Sequence, residues 1–335
     1  MSEGRRLRIA LPGLADAARR CAAQGANPRL PHTEWLLARG RRRPSTAAAW
    51  REWLLAGAGL GSDVLERFPA GPCTHAVRTG RRPTARLARA EPVHLLTALD
   101  HLQLAAPVPV PLDATETDAV LGTLNGHLEG SGYVLYADGG QGWLCECPPD
   151  LQFTAVEPSC AVGLNLRGLL PDGRDAGRVR ALVNELQMLL HEHPVNERRA
   201  ASGQPLVNSV WLWGAGSAGE TCGVARGVLV TDDEWLAGLW RLHGGRLRPA
   251  RDLAASLAEE EGAVLVAIAP TVTGGGAAEE LQWVEQTVFA PVRAMLASGR
   301  LQHIAFNLGG AELDIPAAAR REFWRRPRPL AEVLQ

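Results

Sequence analysis

The sequence predicts an α/β protein built on a mostly parallel sheet flanked by helices. Between residues 207 and 308, short apolar runs alternate with helix-patterned segments, the order expected of βαβ units. At 335 residues, 46% hydrophobic and 21% charged, the chain has material for one large α/β domain or for two domains. No apolar run reaches the roughly 18 residues of a membrane span. The opening Met1-Ser-Glu-Gly-Arg-Arg leads into a strand-like run without the apolar core of a signal peptide. A cytoplasmic protein that does not enter the membrane is therefore expected.

In chain order, Leu7 to Leu11 predicts a strand ended by Pro12-Gly13, and Leu14 to Ala23 a helix. Asn27 to Pro31 breaks the chain, and His32 to Ala38 resumes as a helix. Arg39 to Arg43 is an arginine cluster in a loop. Pro44-Ser45-Thr46 then caps a helix over 47–55. Gly57 to Gly61 and Gly71-Pro72 read as turns. Pro92 to Leu96 and Leu99 to Leu104 read as two paired strands, and the alternating prolines and valines of 107–111 as a stiff connector. His94 and His101 fall on those strands, where a half-buried histidine is the plainer reading than a metal ligand. Thr115 and Asp118 open a helix that runs to Leu128. Tyr133 to Tyr136 and Gly142 to Cys147 flank Asp138-Gly139-Gly140 as a hairpin.

The organising stretch is 184–216. A long helix over 175–193 stops at Pro194. Asn196, Arg198, Gly203, Pro205 and Asn208 follow as a polar loop, then Val207 to Trp213 as a buried strand, then Gly214-Ala215-Gly216 as a turn. Asn196, Arg198 and Asn208 are hydrogen-bonding side chains in a stretch otherwise built for a core. Buried polar groups must find partners, so the loop either binds something or is bonded to itself. Gly214, Gly216 and Gly219 match a dinucleotide-binding spacing after a strand, but too few residues separate them from the next strand for the required helix. Thr231 to Glu234 then caps a helix to Leu242. Helices over 252–261 and 279–296, the latter interrupted at Pro291, alternate with strands over 262–269 and 301–308.

His193-Pro194-Val195-Asn196, Arg198, Gly203, Asn208 and Gly214-Ala215-Gly216 resemble a segment of the archaeal-type cofactor-independent phosphoglycerate mutases. With Glu185-Leu-Gln-Met and Trp211-Leu-Trp213-Gly214, the stretch is closer still to a group of proteobacterial proteins labelled RpfE-type regulatory proteins. The resemblance implies an alkaline-phosphatase-like fold: a central, mostly parallel sheet flanked by helices, with a smaller inserted α+β lobe. It implies boundaries at 1–87 and 171–335 for the two parts of the main domain and 88–170 for the lobe. It implies a nucleophilic serine at a helix start, for which Ser45 is the loose positional match. It also implies Asp and His metal ligands at three places. Here the first strand is followed by Pro12, the loop after 263–269 reads Pro270-Thr-Val-Thr-Gly-Gly-Gly276, and the last strand leads to Asn307-Leu308-Gly309-Gly310. Two-metal phosphoryl chemistry needs a ligand cluster at such places, so no metal and no cofactor is expected.

Charge and cysteines add limits. The net charge is −1 and the chain has no lysine. Residues 1–90 carry 17 arginines against six carboxylates, and the rest 18 against 30. No aromatic-interleaved basic motif points to nucleic acid. The six cysteines lack paired zinc spacing and read as reduced thiols. The expectation is a catalytically inactive mutase-like protein with a regulatory or partner-binding role. Its site would be Asn196, Arg198, Asn208, Trp211, Trp213, Gly214 and Gly216, facing a protein partner or a small phosphorylated or carboxylated ligand that Arg198 could grip bidentately. Two rivals stand beside it. One is a metal-dependent phosphoglycerate mutase or phosphatase with a rearranged site drawn from His32, His94, His101, His191, His193 and Asp100. The other is a purely structural subunit of a complex.

Overall fold

The computed structural model describes residues 6–44, 50–61, 63–97, 101–221, 224–260, 262–269, 276–309, 311–322, 324–327 and 330. In order, the elements to Thr79 are β1 (Arg6–Ala10), α1 (Leu14–Ala23), α2 (Pro31–Arg39), β2 (Arg41–Pro44), α3 (Trp50–Ala56), α4 (Val64–Arg67) and α5 (Ala70–Thr79). There follow β3 (Arg86–Thr97), β4 (Leu102–Ala105), α6 (Ala114–Leu128), β5 (Val134–Tyr136), β6 (Trp143–Cys147), α7 (Ala176–His191), α8 (Pro194–Ala201) and β7 (Ser209–Gly216). The remainder holds β8 (Val228–Thr231), α9 (Glu234–Leu242), β9 (Arg246–Arg248), α10 (Leu253–Glu259), β10 (Val264–Ala267), α11 (Ala277–Val284), α12 (Ala290–Ala297), β11 (His303–Asn307) and β12 (Ala311–Pro316). These form two compact units, 1–64 with 221–335, and 65–220. Residues 88–170, the span expected for the lobe, lie inside the second unit, which also takes in 65–87 and 171–220.

The first unit is a seven-stranded sheet in the order β2-β12-β11-β1-β10-β8-β9. The five strands from β11 to β9 run parallel, and β12 and β2 close one edge antiparallel. Alternation decides its faces. Leu7, Ile9, Val228, Val230, Val264, Val266, Ile304, Phe306, Leu313 and Ile315 point to one side and are buried in a core with α1, α2, α10, α11 and α12. Full burial of each large side chain there stabilises by about 1.5–3 kcal/mol relative to exposure. Arg6 and Arg8 take the opposite face, against which α3 packs.

The second unit is an antiparallel sheet centred on β3, with β7 along one edge and β6 then β4 along the other. Pro92 sits between the two partner strands. Its carbonyl accepts from Val110 N–H (2.8 Å), so its missing N–H costs no ladder bond. Helices α6 and α7 bury Val120, Leu124, Val179, Leu186 and Leu190 against Ala88, Ala90, Val210 and Leu212. Among the described residues no helix is long and apolar enough to cross a membrane.

Several local expectations change. Most of the arginine cluster expected as a loop is edge strand β2, paired with β12, because Arg41 and Arg43 stand opposite Asp314 and Glu312. Gly71-Pro72 lies in the first turn of α5 rather than in a turn, where a proline lacks nothing. The helix over 114–128 is capped by Asp113 with Glu116, not by Thr115 and Asp118. Pro194 does end α7, but it also opens α8, a helix where a loop was expected. Gly214 to Gly216 continue β7 instead of turning. The strands β9 and β12 carry charged residues in the alternation and were not expected. Ser45, Asp100, Cys222 and residues 271–275 lie outside the described residues.

Candidate functional site

The residues singled out by sequence all belong to the second unit, and the structure gives most of them partners. His193 caps α8. Val195 N–H donates to its Nδ1 (3.2 Å), which places the ring proton on Nε2, facing Thr123 Oγ1 at 3.0 Å. One turn later Asn196, buried, is saturated. Its Nδ2 donates to the carbonyls of Leu190 and Val207 (2.7 Å each), and its Oδ1 accepts from Val207 N–H at 2.9 Å. Asn208 extends β7 with its side chain: Leu95 N–H donates to Oδ1 (2.7 Å) and Nδ2 donates to Leu95 O (2.8 Å). Arg198 is exposed, with no side-chain partner among the described residues. The buried cation is its neighbour Arg199, which pairs with Glu116 (2.7 Å) and donates from Nε to Pro205 O (2.7 Å). Sequence reading passed over Arg199; the Glu116 three residues after Asp113 was the available signal.

The aromatic and glycine positions are likewise accounted for by packing. Trp211 is buried and donates to Val156 O at 2.9 Å. Trp213 donates to Glu91 Oε1 at 3.3 Å. Gly214 has φ +57°, and a Cβ there would meet Ala70 Cβ at 2.5 Å; one at Gly216 would overlap Pro69. Both glycines let α5 lie close on β7.

A buried charged centre lies on β3, at residues the sequence did not single out. Arg89 and Glu91, two apart on β3, share a face. Glu91 is 2% exposed. Its Oε1 takes Arg89 Nε (2.8 Å) and Nη2 (2.7 Å), while Arg89 reaches Thr74 Oγ1 and Gln141 O at 3.1 Å each. Burial pushes the Glu91 carboxyl above its ordinary range, and Arg89 opposes that. Glu91 Oε2 is buried with no hydrogen-bond partner among the described residues. It faces Gly142, where a Cβ would collide with it.

An open cleft of about 670 Å³ remains beside this self-bonded stretch, lined by Leu95, Thr97, Leu102, Gln187, Met188 and Asn208 among others. Met188 is 76% exposed and Leu102 44%.

The carboxyl ends of the parallel strands in the first unit are where open α/β sheets place their ligands. After β1 stand buried Leu11, then Pro12 and Gly13. After β8, Asp232 Oδ1 accepts from Ala250 N–H (3.0 Å). Asp233 caps α9 through Leu236 N–H (2.8 Å) and holds Arg51 at 2.8 Å. At the end of β11, Asn307 Oδ1 accepts from Gly309 N–H at 3.1 Å. The histidines of the rearranged-site reading are scattered. His32 lies in the first unit and approaches Arg293, while His94 in the second donates from Nδ1 to Leu206 O at 3.0 Å. Among the described residues, no three His, Cys, Asp or Glu side chains form a group that could hold a metal ion.

Comparison with known proteins gives local likeness to one enzyme group. The chain is 40% identical over 65 residues to a probable 2,3-bisphosphoglycerate-independent phosphoglycerate mutase of Geobacter sulfurreducens, 19% of this chain and 16% of that protein. It is 33% identical over 86 residues to the 2,3-bisphosphoglycerate-independent phosphoglycerate mutase of Methanosarcina barkeri, 26% of this chain and 20% of that protein. The chain is a distant relative of the cofactor-independent phosphoglycerate mutases. The aligned segments span about a fifth or less of the length of those mutases. No protein-family model matches. Among solved structures, the PH0037 protein of Pyrococcus horikoshii is similar with a TM-score of 0.52 and 15% identity, covering 99% of this chain and 92% of that one, a likeness of fold. A cofactor-independent phosphoglycerate mutase of Thermoplasma acidophilum matches with a TM-score of 0.47 and 17% identity over 98% of this chain and 94% of that one.

Proposed function

We propose that this mutase relative has no phosphoglycerate mutase turnover and works by binding a partner protein, in the manner of the RpfE-type regulatory proteins its central stretch resembles. The observation that carries the first half is the state of the strand ends. Hydrolytic and transfer chemistry with two metals needs uncommitted carboxylates and imidazoles converging on the ions. Here Pro12 follows β1, and Asp232 and Asp233 are spent on a backbone amide, a helix cap and Arg51. The loop after β10 reads Pro270 to Gly276 without a carboxylate or an imidazole.

The second half rests on the cleft of the second unit. Asn208 is bonded to Leu95 on its wall, while Met188 and Leu102 offer exposed apolar contacts with Gln187 and Asn184 among them. A methionine at such exposure suits a surface that adapts to a partner side chain. A photo-crosslinking residue at position 188 of the full-length protein, introduced in cells, tests this. One discrete protein adduct, lost on Leu102→Asp, is expected. Absence of an adduct at 188 with adducts formed from exposed position 150, beside Arg178 towards the opposite end of α7, contradicts it.

A further inference from the structure

The first unit carries a second, quite different surface. At the amino ends of its parallel strands, opposite the edge just described, lies a cleft of about 1170 Å³ lined by Arg6, Arg8, Arg226, Arg246 and His303. Among the described residues that line it, none is a carboxylate. These side chains differ in how far they are already committed. Arg8 donates from Nη2 to Trp53 O (2.6 Å) and lies over the Trp53 ring at 4.1 Å, serving the last turn of α3; its Nε is buried without a partner among the described residues. Arg246 pairs with Glu260 (2.5 Å), and His303 with Asp314 (2.5 Å). The side chains of Arg6 and Arg226 are exposed and have no hydrogen-bonding or ionic partner among the described residues.

Sheet order sets their spacing. Arg6 opens β1, Arg226 lies two residues before Val228 at the start of β8, and β10 lies between those strands. Two strand intervals are about 10 Å, a gap that two arginine side chains reaching inward can close on one anion. The floor between them is short-chained: Gly227, Gly262 and Ala263 line it, and Gly57 leaves room for the Arg8 stem, which a Cβ at 57 would strike. Planar guanidinium forks match phosphate oxygens two at a time.

We infer that this cleft is a binding site for a small phosphate-bearing polyanion of about diphosphate size, gripped by Arg6 and Arg226 with Arg8 at its back. It is independent of the partner cleft and of any chemistry at the carboxyl ends of the strands.

Titration of inorganic pyrophosphate into the full-length protein at fixed ionic strength, followed calorimetrically, tests it. Saturable binding to one site is expected, weakened at least tenfold by Arg6→Glu and by Arg226→Glu. Arg226→Gln, which removes the charge without reversing it, should weaken it less, in the same direction. Arg167→Glu, the same charge change on an exposed residue of the other unit, should leave it unaltered. Absence of saturation, retention of wild-type affinity by the Arg6 and Arg226 variants, or equal loss in all the charge-reversal variants overturns the assignment.

Discussion

Asn208 pairs with Leu95 as a strand residue would, its carboxamide accepting from Leu95 N–H at 2.7 Å and donating to Leu95 O at 2.8 Å. The β7 ladder is thereby carried one step past Ser209 by a side chain. Asn208→Ala leaves both backbone groups of Leu95 without these partners and should cost about 1–3 kcal/mol in chemical denaturation. A residue kept only for ligand contact would show no such loss.

Arg198 and Arg199 are neighbours with opposite duties. Arg199 is buried against Glu116, both side chains largely out of water. Removing one partner of a buried pair strands the other, so Arg199→Ala should destabilise by about 3–5 kcal/mol. Arg198→Ala, on the exposed side of α8, should stay within about 0.5 kcal/mol of the parent. Equal losses from the two variants in parallel urea titrations would refute the assignment of the buried cation.

Gly214 combines a left-handed backbone with an approach to Ala70 that leaves no room for a methyl group. Gly214→Ala should cost at least about 1 kcal/mol, by strain and by lifting α5 from β7. The double variant with Ala70→Gly, which removes the opposing methyl, should recover part of the loss. No recovery would place the cost in the backbone conformation alone.

Both tyrosines should titrate late. Burial, then Asp138, pushes the Tyr136 phenol up to about 12, and burial raises Tyr133 as well. Between 10, the ordinary value, and 12 the folded chain holds a proton on Tyr136 that the unfolded chain has released. Stability from this group is therefore whole below pH 10 and is lost as pH rises through that window. The near-ultraviolet phenolate band should grow above pH 10, and Tyr136→Phe should lessen the alkaline loss of stability. A phenolate midpoint at 10 in the folded protein contradicts this.

Much of the α/β order was legible, because Leu7-Arg8-Ile9 and Val264 to Ala267 are apolar enough to announce strands bordered by helix periodicity. What stayed hidden has a common physical cause. Arg41 to Arg43, Arg246 to Arg248 and Glu312 to Asp314 are strands whose charges look outward or pair across the sheet, so hydropathy hides them. Pro194 reads the same whether it ends one helix or begins the next, and the chain does both. At the site, sequence could mark Asn196 and Asn208 as polar residues needing partners. It could not tell that the partners are Leu190, Val207 and Leu95, because two of those bonds run from Asn208 across 113 residues of chain. Arg89 and Glu91 were missed because an ion pair formed within one strand leaves no periodic signature.

The measurement that bears most directly on the central proposal is a phosphoglycerate mutase assay on metal-free protein resupplied in turn with manganese, magnesium and cobalt. No interconversion of phosphoglycerates with any of them is predicted, since Asp232 and Asp233 are held by Ala250, Leu236 and Arg51. Metal-dependent turnover that disappears in Ser45→Ala or His101→Ala would contradict the proposal and identify this chain as a working mutase.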